Sequence, residues 1–541
     1  MSANTIRSVQ LSWFSLCVFC VLCGEYSSAS AAPPAITSLS PPGAQRGTTT
    51  DVTAAGALDA STKVWASSKS VTVEVAKGKL KVTVAKDAAP GVYAIRAFND
   101  DGASNLRPFI VGALPEVIEK EPNDDFKKPH VLDGSSFTIN GKLEKVGDVD
   151  CFAVTLKKGQ TLVAALDANR TLRAPMDAVL QVLSADGFVI EENNDFHGLD
   201  PQLAFTAKKD GTYIARVYAF PSMPDSSIRF FGSDACVYRL TLTTGAFADF
   251  AVPLAVSKDA TQVEGEGWNL SPETRKLALA PGDDAFATAF GANVANSVRV
   301  RREPHKCYVG EKGEARSMRY DLPLSFTGTI EKKGGTAGII PWLKKGQTVS
   351  IQVESRTLGL AVNPVLGIFD AELKPLAKAE PAKLNGDTAL SFTPPADGFY
   401  ALLVQDLYGG GGPRHAFLIR ILTPEPDYSL TTTADRFTIV PGKPTTVAVK
   451  VTRVRGFTRP VEITAEGLPE GVKFEVTASA KPDPNTVTLS LTAEKPWAGS
   501  FRLTGKVKDE PGLTRTVRVS LPELDEPTAD LWLTVTAPAK K

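Results

Sequence analysis

The chain has 541 residues, with 60 Lys and Arg against 60 Asp and Glu, 43% hydrophobic residues and only four His. This length is too great for one hydrophobic core and indicates several domains. Balanced charge excludes the positive field that attracts nucleic acid or anionic membranes, and scarce histidine leaves little material for zinc or acid–base chemistry. Frequent Gly and Pro predict many turns between short strands. We therefore expect an all-β protein of tandem β-sandwich domains.

Residues 1–31 are predicted to be an export signal. Arg7 precedes an apolar run from Leu11 to Leu22, and small residues suited to cleavage follow around position 30. The run is too short to span a bilayer comfortably and no later run is apolar enough, so we expect no transmembrane segment in the mature chain. Cys23 offers a lipoprotein alternative, which the bulky residue before it disfavours. The protein is expected to be periplasmic, at the cell surface or extracellular.

Residues 33–112 are predicted to form the first domain. Short runs of alternating apolar residues, such as VTVEVA (Val71 to Ala76) and VYAIRAF (Val92 to Phe98), are separated by Gly, Pro and Asn-Asp pairs. The opening ITSLSPPGAQRGTTTDVTAAG resembles the immunoglobulin-like IPT/TIG fold. That resemblance implies a spacer domain.

The next segment carries candidate metal ligands, which are Glu119, Glu121, Asn123, Asp124, Asp148 and Asp150. Pro122 prevents a helix through the first four of them. Asp148 and Asp150 begin an alternating strand, so both carboxylates project to the side that continues toward the core. Close carboxylates repel each other, and a set of Asp, Glu and Asn oxygens suits Ca²⁺, which takes six to eight oxygen ligands. Alternatively, Lys127 and Lys128 pair with these acids.

This acidic stretch and the segments that follow it together resemble the bacterial pre-peptidase C-terminal (PPC) domain. They are E-x-E-P-N-D (Glu119 to Asp124), G-D-V-D-x-F (Gly147 to Phe152), L-K-K-G-Q (Leu156 to Gln160), Asp177, DPQLAF (Asp200 to Phe205), DGTYIARV (Asp210 to Val217) and VYRLTL (Val237 to Leu242). The resemblance implies a β-sandwich over residues 113–245, related to the collagen-binding domain of clostridial collagenases. In that family, calcium bridges an N-terminal acidic linker to the sandwich.

An internal repeat with a spacing of 187 residues predicts a second sandwich over residues 301–423. The run Leu156 to Leu162 returns as Leu343 to Val349, and the Asp-Gly-x-Tyr motif at Asp210 returns at Asp397. Residues 246–300 would then form a second, degenerate Ig-like spacer. Residues 424–541 alternate at period two and resemble a bacterial Ig-like sandwich.

The second copy is predicted to lack the acidic site. At the positions of Asp148 and Asp150 it has Gly335 and Ala337, and we align its segment Glu303 to Lys306 with Glu121 to Asp124. Glycine, alanine and basic residues replace the oxygen ligands, so we expect calcium in the first sandwich alone.

Three cysteines, Cys151, Cys236 and Cys307, follow the predicted signal peptide. Strand parity places Cys151 on the outer face and Cys236 with the core residues of its strand. A Cys151–Cys236 disulfide is therefore disfavoured, although the sequence alone leaves the pairing of the three thiols open.

Catalytic motifs are absent from the sequence: it has no G-x-S-x-G elbow, H-E-x-x-H helix or Walker loop. The polar loop that contains Asp195, His197 and Asp200 is better explained as a solvated connection than as an acid–base site. We therefore expect a non-catalytic exported protein that binds or adheres to an extracellular protein or polysaccharide. The alternative is an accessory component, substrate-targeting or chaperone-like, of a secreted peptidase or other hydrolase system.

Overall fold

The structure is a computed structural model that describes residues 32–76, 78–224, 226, 229–282, 284–310, 317–477 and 485–537. The predicted signal peptide, residues 1–31, lies outside the described residues. The chain from Pro33 onward forms one compact unit. It is 55% strand and 1% helix, which confirms the all-β prediction of tandem sandwiches. Within the described ranges, no helix is long and apolar enough to cross a membrane.

The first module packs a four-stranded sheet, ordered β1-β3-β6-β5, on a five-stranded sheet, ordered β2-β9-β7-β4 with β8 added to β7. Strict alternation explains the strands: in β6, Leu80, Val82 and Val84 are buried while the residues between them are exposed. The strands are β1 (Ala35–Ser40), β2 (Gly43–Gln45), β3 (Thr49–Ala57), β4 (Lys63–Ala66), β5 (Val71–Ala76), β6 (Lys79–Val84), β7 (Gly91–Asn99), β8 (Gly102–Ala103) and β9 (Arg107–Gly112).

The second module, here called the first sandwich, packs sheets ordered β10-β12-β19-β14-β17 and β11-β13-β18-β15-β16. Its core includes Phe152, Leu240 and Tyr238, all fully buried between the sheets. Its elements are β10 (Glu116–Ile118), β11 (His130–Val131), β12 (Ser136–Lys142), β13 (Asp150–Leu156), β14 (Thr161–Asp167), α1 (Asn169–Leu172), β15 (Met176–Ser184), β16 (Val189–Asn193), β17 (Gln202–Thr206), β18 (Gly211–Pro221) and β19 (Val237–Thr243).

The third module differs from the first because its six strands form one hydrogen-bonded sheet, ordered β20-β22-β23-β24-β25-β21. The last strand continues to Glu303, past the predicted boundary at residue 300. The strands are β20 (Phe247–Val252), β21 (Ala255–Ser257), β22 (Gln262–Trp268), β23 (Lys276–Leu279), β24 (Phe286–Phe290) and β25 (Ser297–Glu303).

The fourth module, the second sandwich, repeats the strand order of the first in the sheets β26-β28-β36-β30-β33 and β27-β29-β35-β31-β32. Asp150 pairs with Val217 in the first sandwich and Ala337 pairs with Val404 in the second, so the 187-residue spacing is a structural register. The elements are β26 (Lys306–Val309), β27 (Ser317–Met318), β28 (Leu324–Thr329), β29 (Thr336–Leu343), β30 (Val349–Glu354), the 3-10 helix η1 (Arg356–Leu358), β31 (Pro364–Phe369), β32 (Pro375–Ala379), β33 (Thr388–Phe392), β34 (Gly398–Phe399), β35 (Ala401–Asp406) and β36 (Ala416–Leu422).

The fifth module packs the sheet β37-β39-β42-β41 on the sheet β38-β45-β43-β40, with β44 added to β43. The fifth module contacts the first module. Asp435 of the fifth module forms a buried ion pair with Arg96 of the first, and the centroids of the Trp532 and Trp65 rings are 6.0 Å apart. Its strands are β37 (Asp427–Thr431), β38 (Arg436–Ile439), β39 (Thr445–Val454), β40 (Glu462–Glu466), β41 (Lys473–Thr477), β42 (Thr486–Thr492), β43 (Trp497–Val507), β44 (Glu510–Thr516) and β45 (Leu531–Val535).

Candidate metal centre

The acidic linker of the first sandwich crosses from one sheet to the other. Before it, β10 pairs in parallel with β12; after it, β11 pairs in parallel with β13. The connection between β12 and β13 spans the same edge of the sandwich and contains Asp148. The fold therefore brings residues 119–124 of the linker against the start of β13, although about 25 residues separate the two segments in sequence.

Three carboxylates converge where the linker meets this connection. One oxygen from each of Glu121, Asp148 and Asp150 lies within 4.8 Å of the others. Asp148 and Asp150 are fully buried, whereas Glu121 is exposed. Asp148 and Asp150 lie together as predicted, although Asp148 precedes β13 and is not part of an alternating strand.

The other predicted ligands surround these three carboxylates. Glu119 accepts a hydrogen bond from the Lys142 backbone N–H at 2.6 Å, and its other carboxylate oxygen lies 3.0 Å from the Tyr238 hydroxyl oxygen. Asp124 is exposed, and its Oδ1 is 3.4 Å from the Val149 backbone nitrogen. Asn123 is 1% exposed. The structure therefore brings all six predicted residues to one edge of the first sandwich.

Buried oxygen atoms in this cluster have no hydrogen-bond partner among the described residues. They are Oδ1 of Asp148, Oδ1 of Asp150 and Oδ1 of Asn123, whose Nδ2 also has none. A buried polar group without a partner costs free energy, and a buried carboxylate costs more. The residues therefore fit a hard cation, since anionic and amide oxygens are the ligands that Ca²⁺ takes.

The electrostatics of the cluster point the same way. Burial, followed by the neighbouring Glu119 charge, raises the pKa of Asp150 to about 9. Burial raises the pKa of Glu119 to about 7, and it also raises the pKa values of Asp148 and Glu121. Each shift means that the ionised carboxylate is destabilised in the protein alone.

Lysines do not neutralise the cluster. No ion pair of Lys127 or Lys128 with an acid occurs in the described part of the chain, so the structure does not support the alternative pairing. Lys145 approaches Asp148 at 4.0 Å, but its side chain is 69% exposed. An ion pair of that length with an exposed amine contributes little.

Tyr238 also belongs to the site, although the sequence did not identify it as a site residue. It lies on β19, and its buried hydroxyl donates to Asp150 at 2.6 Å as well as contacting Glu119. The sequence signal was a Tyr among the apolar residues of VYRLTL, since a buried Tyr hydroxyl needs a partner. Neither partner is visible locally, because Asp150 lies on β13 in the facing sheet and Glu119 lies beside β12, which pairs with β19.

The second sandwich replaces the centre of this site. Gly335 and Ala337 stand where Asp148 and Asp150 stand, as predicted, and Phe417 takes the place of Tyr238 opposite the equivalent glycine. The second sandwich therefore has neither a hydroxyl at the position of Tyr238 nor a carboxylate at the position of Asp150.

The predicted alignment of Glu303 to Lys306 with the acidic linker is wrong. In the first sandwich Glu116 pairs with Thr138, and in the second Cys307 pairs with Ser325 at the equivalent position of the sheet. The linker of the second sandwich therefore begins at Gly310 and enters residues 311–316, which lie outside the described residues. Glu303 instead ends β25 of the preceding module.

The polar loop of the first sandwich is structural. The Asp200 carboxylate accepts backbone hydrogen bonds from Asn169 and Arg170 at the start of α1, as Asp387 does at the start of η1. Burial lowers the pKa of His197 to about 3, so its imidazole is neutral. Asp200 of this loop therefore satisfies backbone N–H groups at the start of α1.

The three cysteines after the predicted signal peptide are free thiols. Cys236 belongs to the main core of the first sandwich, whereas Cys151 lies on the opposite side of its sheet, as parity predicts. Cys151 is nevertheless fully buried, because Phe126 of the linker covers this part of the outer face.

Comparison with known proteins identifies one domain family. Residues 148–219 match the family described as the bacterial pre-peptidase C-terminal domain, within the predicted first sandwich. A probable subtilase-type serine protease of Deinococcus radiodurans is 25% identical over 160 residues, which are 24% of this chain and 22% of the relative. The chain thus aligns with less than a quarter of that protease.

Solved structures of modular β-proteins are also similar. The pre-peptidase C-terminal domain of a Bacillus anthracis collagenase is 15% identical, covering 23% of this chain and 100% of that domain, with a TM-score of 0.17. The four N-terminal Ig domains of Dscam1 are 10% identical, covering 93% of this chain and 98% of that one, with a TM-score of 0.19. These TM-scores are too low to carry a functional inference.

Proposed function

For a chain that carries a bacterial pre-peptidase C-terminal domain, we propose a non-catalytic, exported role in extracellular binding or adhesion, with calcium stabilising the first sandwich. The partner would be an extracellular protein or polysaccharide. The single observation that supports the calcium assignment is the set of buried, unpartnered oxygens of Asn123, Asp148 and Asp150. The family match at residues 148–219 supports assignment to a class of modular accessory domains.

The ligand set would be Glu119, Glu121, Asn123, Asp124, Asp148 and Asp150. A bound divalent cation neutralises the repulsion between these carboxylates. Hydrogen bonds within the chain position two of the ligands: the Tyr238 hydroxyl orients Asp150, and the backbone N–H of Glu144 orients Asp148. The acidic linker is thereby held on the edge of the sandwich.

A grouping of Ser, His and carboxylate side chains in the second sandwich lacks the geometry of a catalytic triad. His305 Nε2 lies 3.0 Å from Ser325 Oγ and 3.6 Å from Glu303, so one nitrogen faces both groups. A Ser-His-Asp arrangement uses the two ring nitrogens separately. Ser325 is also fully buried between β26 and β36.

The second candidate is an accessory component of a secreted peptidase or hydrolase system. The partial similarity to a probable subtilase-type protease favours this class over other accessory roles. Purified protein incubated with casein and with polysaccharides distinguishes the classes: a binder retains one of them without cleavage. Cleavage that survives further purification would contradict a non-catalytic role.

Calcium titration of the full chain tests the proposed metal. Ligand binding stabilises the folded state by about 2.7 kcal/mol when free calcium is a hundred times Kd. We expect binding heat from the wild type, none from Asp148→Asn, and unchanged heat from Asp321→Asn, an exposed carboxylate of the second sandwich. Hydrogen exchange should slow in β12 and β13 and not in β28 and β29. Equal heats from wild type and Asp148→Asn would remove calcium from the proposal.

A further inference from the structure

A cluster of aromatic rings lies on the outer face of the first sandwich, on the side of β18 that faces away from the core. Tyr218 and Phe220 point outward from β18, and Phe230 packs on them with ring centroids 4.5 Å and 5.8 Å away respectively. Phe220 and Phe230 remain 37% and 36% exposed. Three mutually packed rings at the surface present several negatively polarised faces to whatever binds there.

A carboxylate stands beside these rings. Asp177 on β15 is directly opposite Phe220 on β18, and directly opposite residues of an antiparallel pair share a face. Its Oδ1 is buried and has no hydrogen-bond partner among the described residues. Burial, followed by the charge of Asp195, raises the pKa of Asp177, as expected for a carboxylate without a cation.

A positive charge beside the rings, that of Arg216, is already engaged. The Arg216 guanidinium donates to Gln181 Oε1 at 2.8 Å and lies 5.9 Å from the centre of the Tyr218 ring. Gln181 in turn donates to Glu192. Arg216 is therefore not paired with Asp177, whose Oδ1 has no partner among the described residues, and a cationic ligand is complementary to that carboxylate.

The second sandwich lacks the same combination. At the positions of Tyr218, Phe220 and Asp177 it has Gln405, Leu407 and Asn363, as the pairing of β31 with β35 shows. Ring faces and carboxylate have been replaced together, while the strands that carry them are retained. The first sandwich alone thus presents this surface.

We propose that the surface formed by Tyr218, Phe220, Phe230 and Asp177 binds the ammonium group of a lysine side chain on an extracellular polypeptide. The ring faces attract the cation, and the Asp177 carboxylate gives it a counter-ion. The inference deepens the proposed binding role by naming the partner's chemistry. It does not require calcium, so a failed calcium titration leaves it standing.

The surface is held in place by its backbone. Phe231 N–H donates to the Ala219 carbonyl at 2.7 Å, and Gly147 N–H donates to the Phe230 carbonyl at 3.0 Å. The segment that carries Phe230 is therefore fastened both to β18 and to the connection that contains Asp148. Side-chain substitutions at Phe220 and Asp177 leave these bonds intact.

Hexalysine binding to the full chain, measured by isothermal titration calorimetry, tests the inference. At an exposed site, a cation–π contact changes the affinity by about twofold to fivefold. We expect Phe220→Leu and Asp177→Asn each to weaken binding by that range. Each substitution introduces the residue type found at the equivalent position of the second sandwich. Tyr408→Ala, which removes a 66% exposed ring from the second sandwich, should leave binding unchanged.

Two further ligands distinguish an ammonium site from other surfaces. Hexalysine acetylated on every side chain keeps the backbone and loses the charges, so we expect no binding. Equal binding of the acetylated peptide, preferential binding to phosphatidylcholine vesicles, or unchanged affinity in both variants would overturn the proposal. Unaltered melting temperatures of the variants would show that any loss of binding is local.

Discussion

The two sandwiches share a fold and differ in their polar sites. Both have a Tyr whose hydroxyl donates to the carbonyl four residues earlier, Tyr213 to Lys209 and Tyr400 to Ala396, and both rings pack on a Phe. The acid cluster and its Tyr238 have no counterpart at Ala337 and Phe417. Strand order and corner contacts therefore maintain the sandwich, while the acid cluster is an addition that the fold does not need.

A second difference lies where each sandwich meets the module before it. In the first, buried Arg239 bonds Glu116 and Asn140 and packs against Gly43 and Gly112. In the second, the equivalent positions hold Leu418, Cys307 and Thr327, of which the first two join an apolar cluster that includes Phe250 and Leu254. The same positions of one fold thus make a polar junction in one case and an apolar junction in the other.

The largest effect that separates the sandwiches should be pH dependence in calcium-free protein. Asp150 and Glu119 have pKa values raised to about 9 and about 7, from 3.8 and 4.5. Their stabilising contribution is full below about pH 4 and is lost as pH rises through 7 and 9, at about 1.4 kcal/mol per pKa unit. Hydrogen exchange, corrected for its intrinsic pH dependence, should accelerate in β12 and β13 between pH 6 and 9 relative to β28 and β29.

Asp150→Asn removes the main titrating group and provides the control for this prediction. We expect the variant to show a weaker pH dependence than the wild type without calcium. An identical dependence in the two proteins would mean that the buried carboxylate does not titrate as described.

The next effect concerns the polar junction. Arg239→Leu introduces the residue type of the second sandwich but leaves Glu116 without its buried partner, and breaking a buried pair in this way costs about 3–5 kcal/mol. Hydrogen exchange of β12 and β19 measures the loss. Adding Glu116→Gln should recover part of it; a double variant no more stable than Arg239→Leu would contradict this account.

The smallest effect is expected from exchanging the aromatic pair. Tyr238→Phe removes the hydroxyl that donates to buried Asp150 and leaves that acceptor unsatisfied, a loss of about 1–3 kcal/mol, and should weaken calcium binding. Phe417→Tyr buries a hydroxyl opposite Ala337, where no carboxylate accepts it, and should cost about 1–3 kcal/mol. Thermal unfolding of the two variants measures both losses of stability. A Phe417→Tyr variant that is more stable than the wild type would contradict the prediction.

The sequence by itself determined the strands, the repeat and the grouping of the acids. Alternation of period two is a local property, so Asp150 and Phe152 share a face whatever the rest of the chain does. The 187-residue repeat predicted the equivalence of Asp150 and Ala337 for the same reason, since equal spacing within a strand gives equal register.

Only the tertiary structure decided which residues complete the site and where the second linker begins. Tyr238 contacts Asp150 because β19 and β13 lie in facing sheets, a relation that no local pattern contains. The alignment of Glu303 failed because the segment from Cys307 to Ser325 is shorter than its counterpart from Glu116 to Thr138, and a sequence motif cannot show which strand a residue joins. Strand pairing depends on contacts across about a hundred residues, so packing of the whole sandwich sets it.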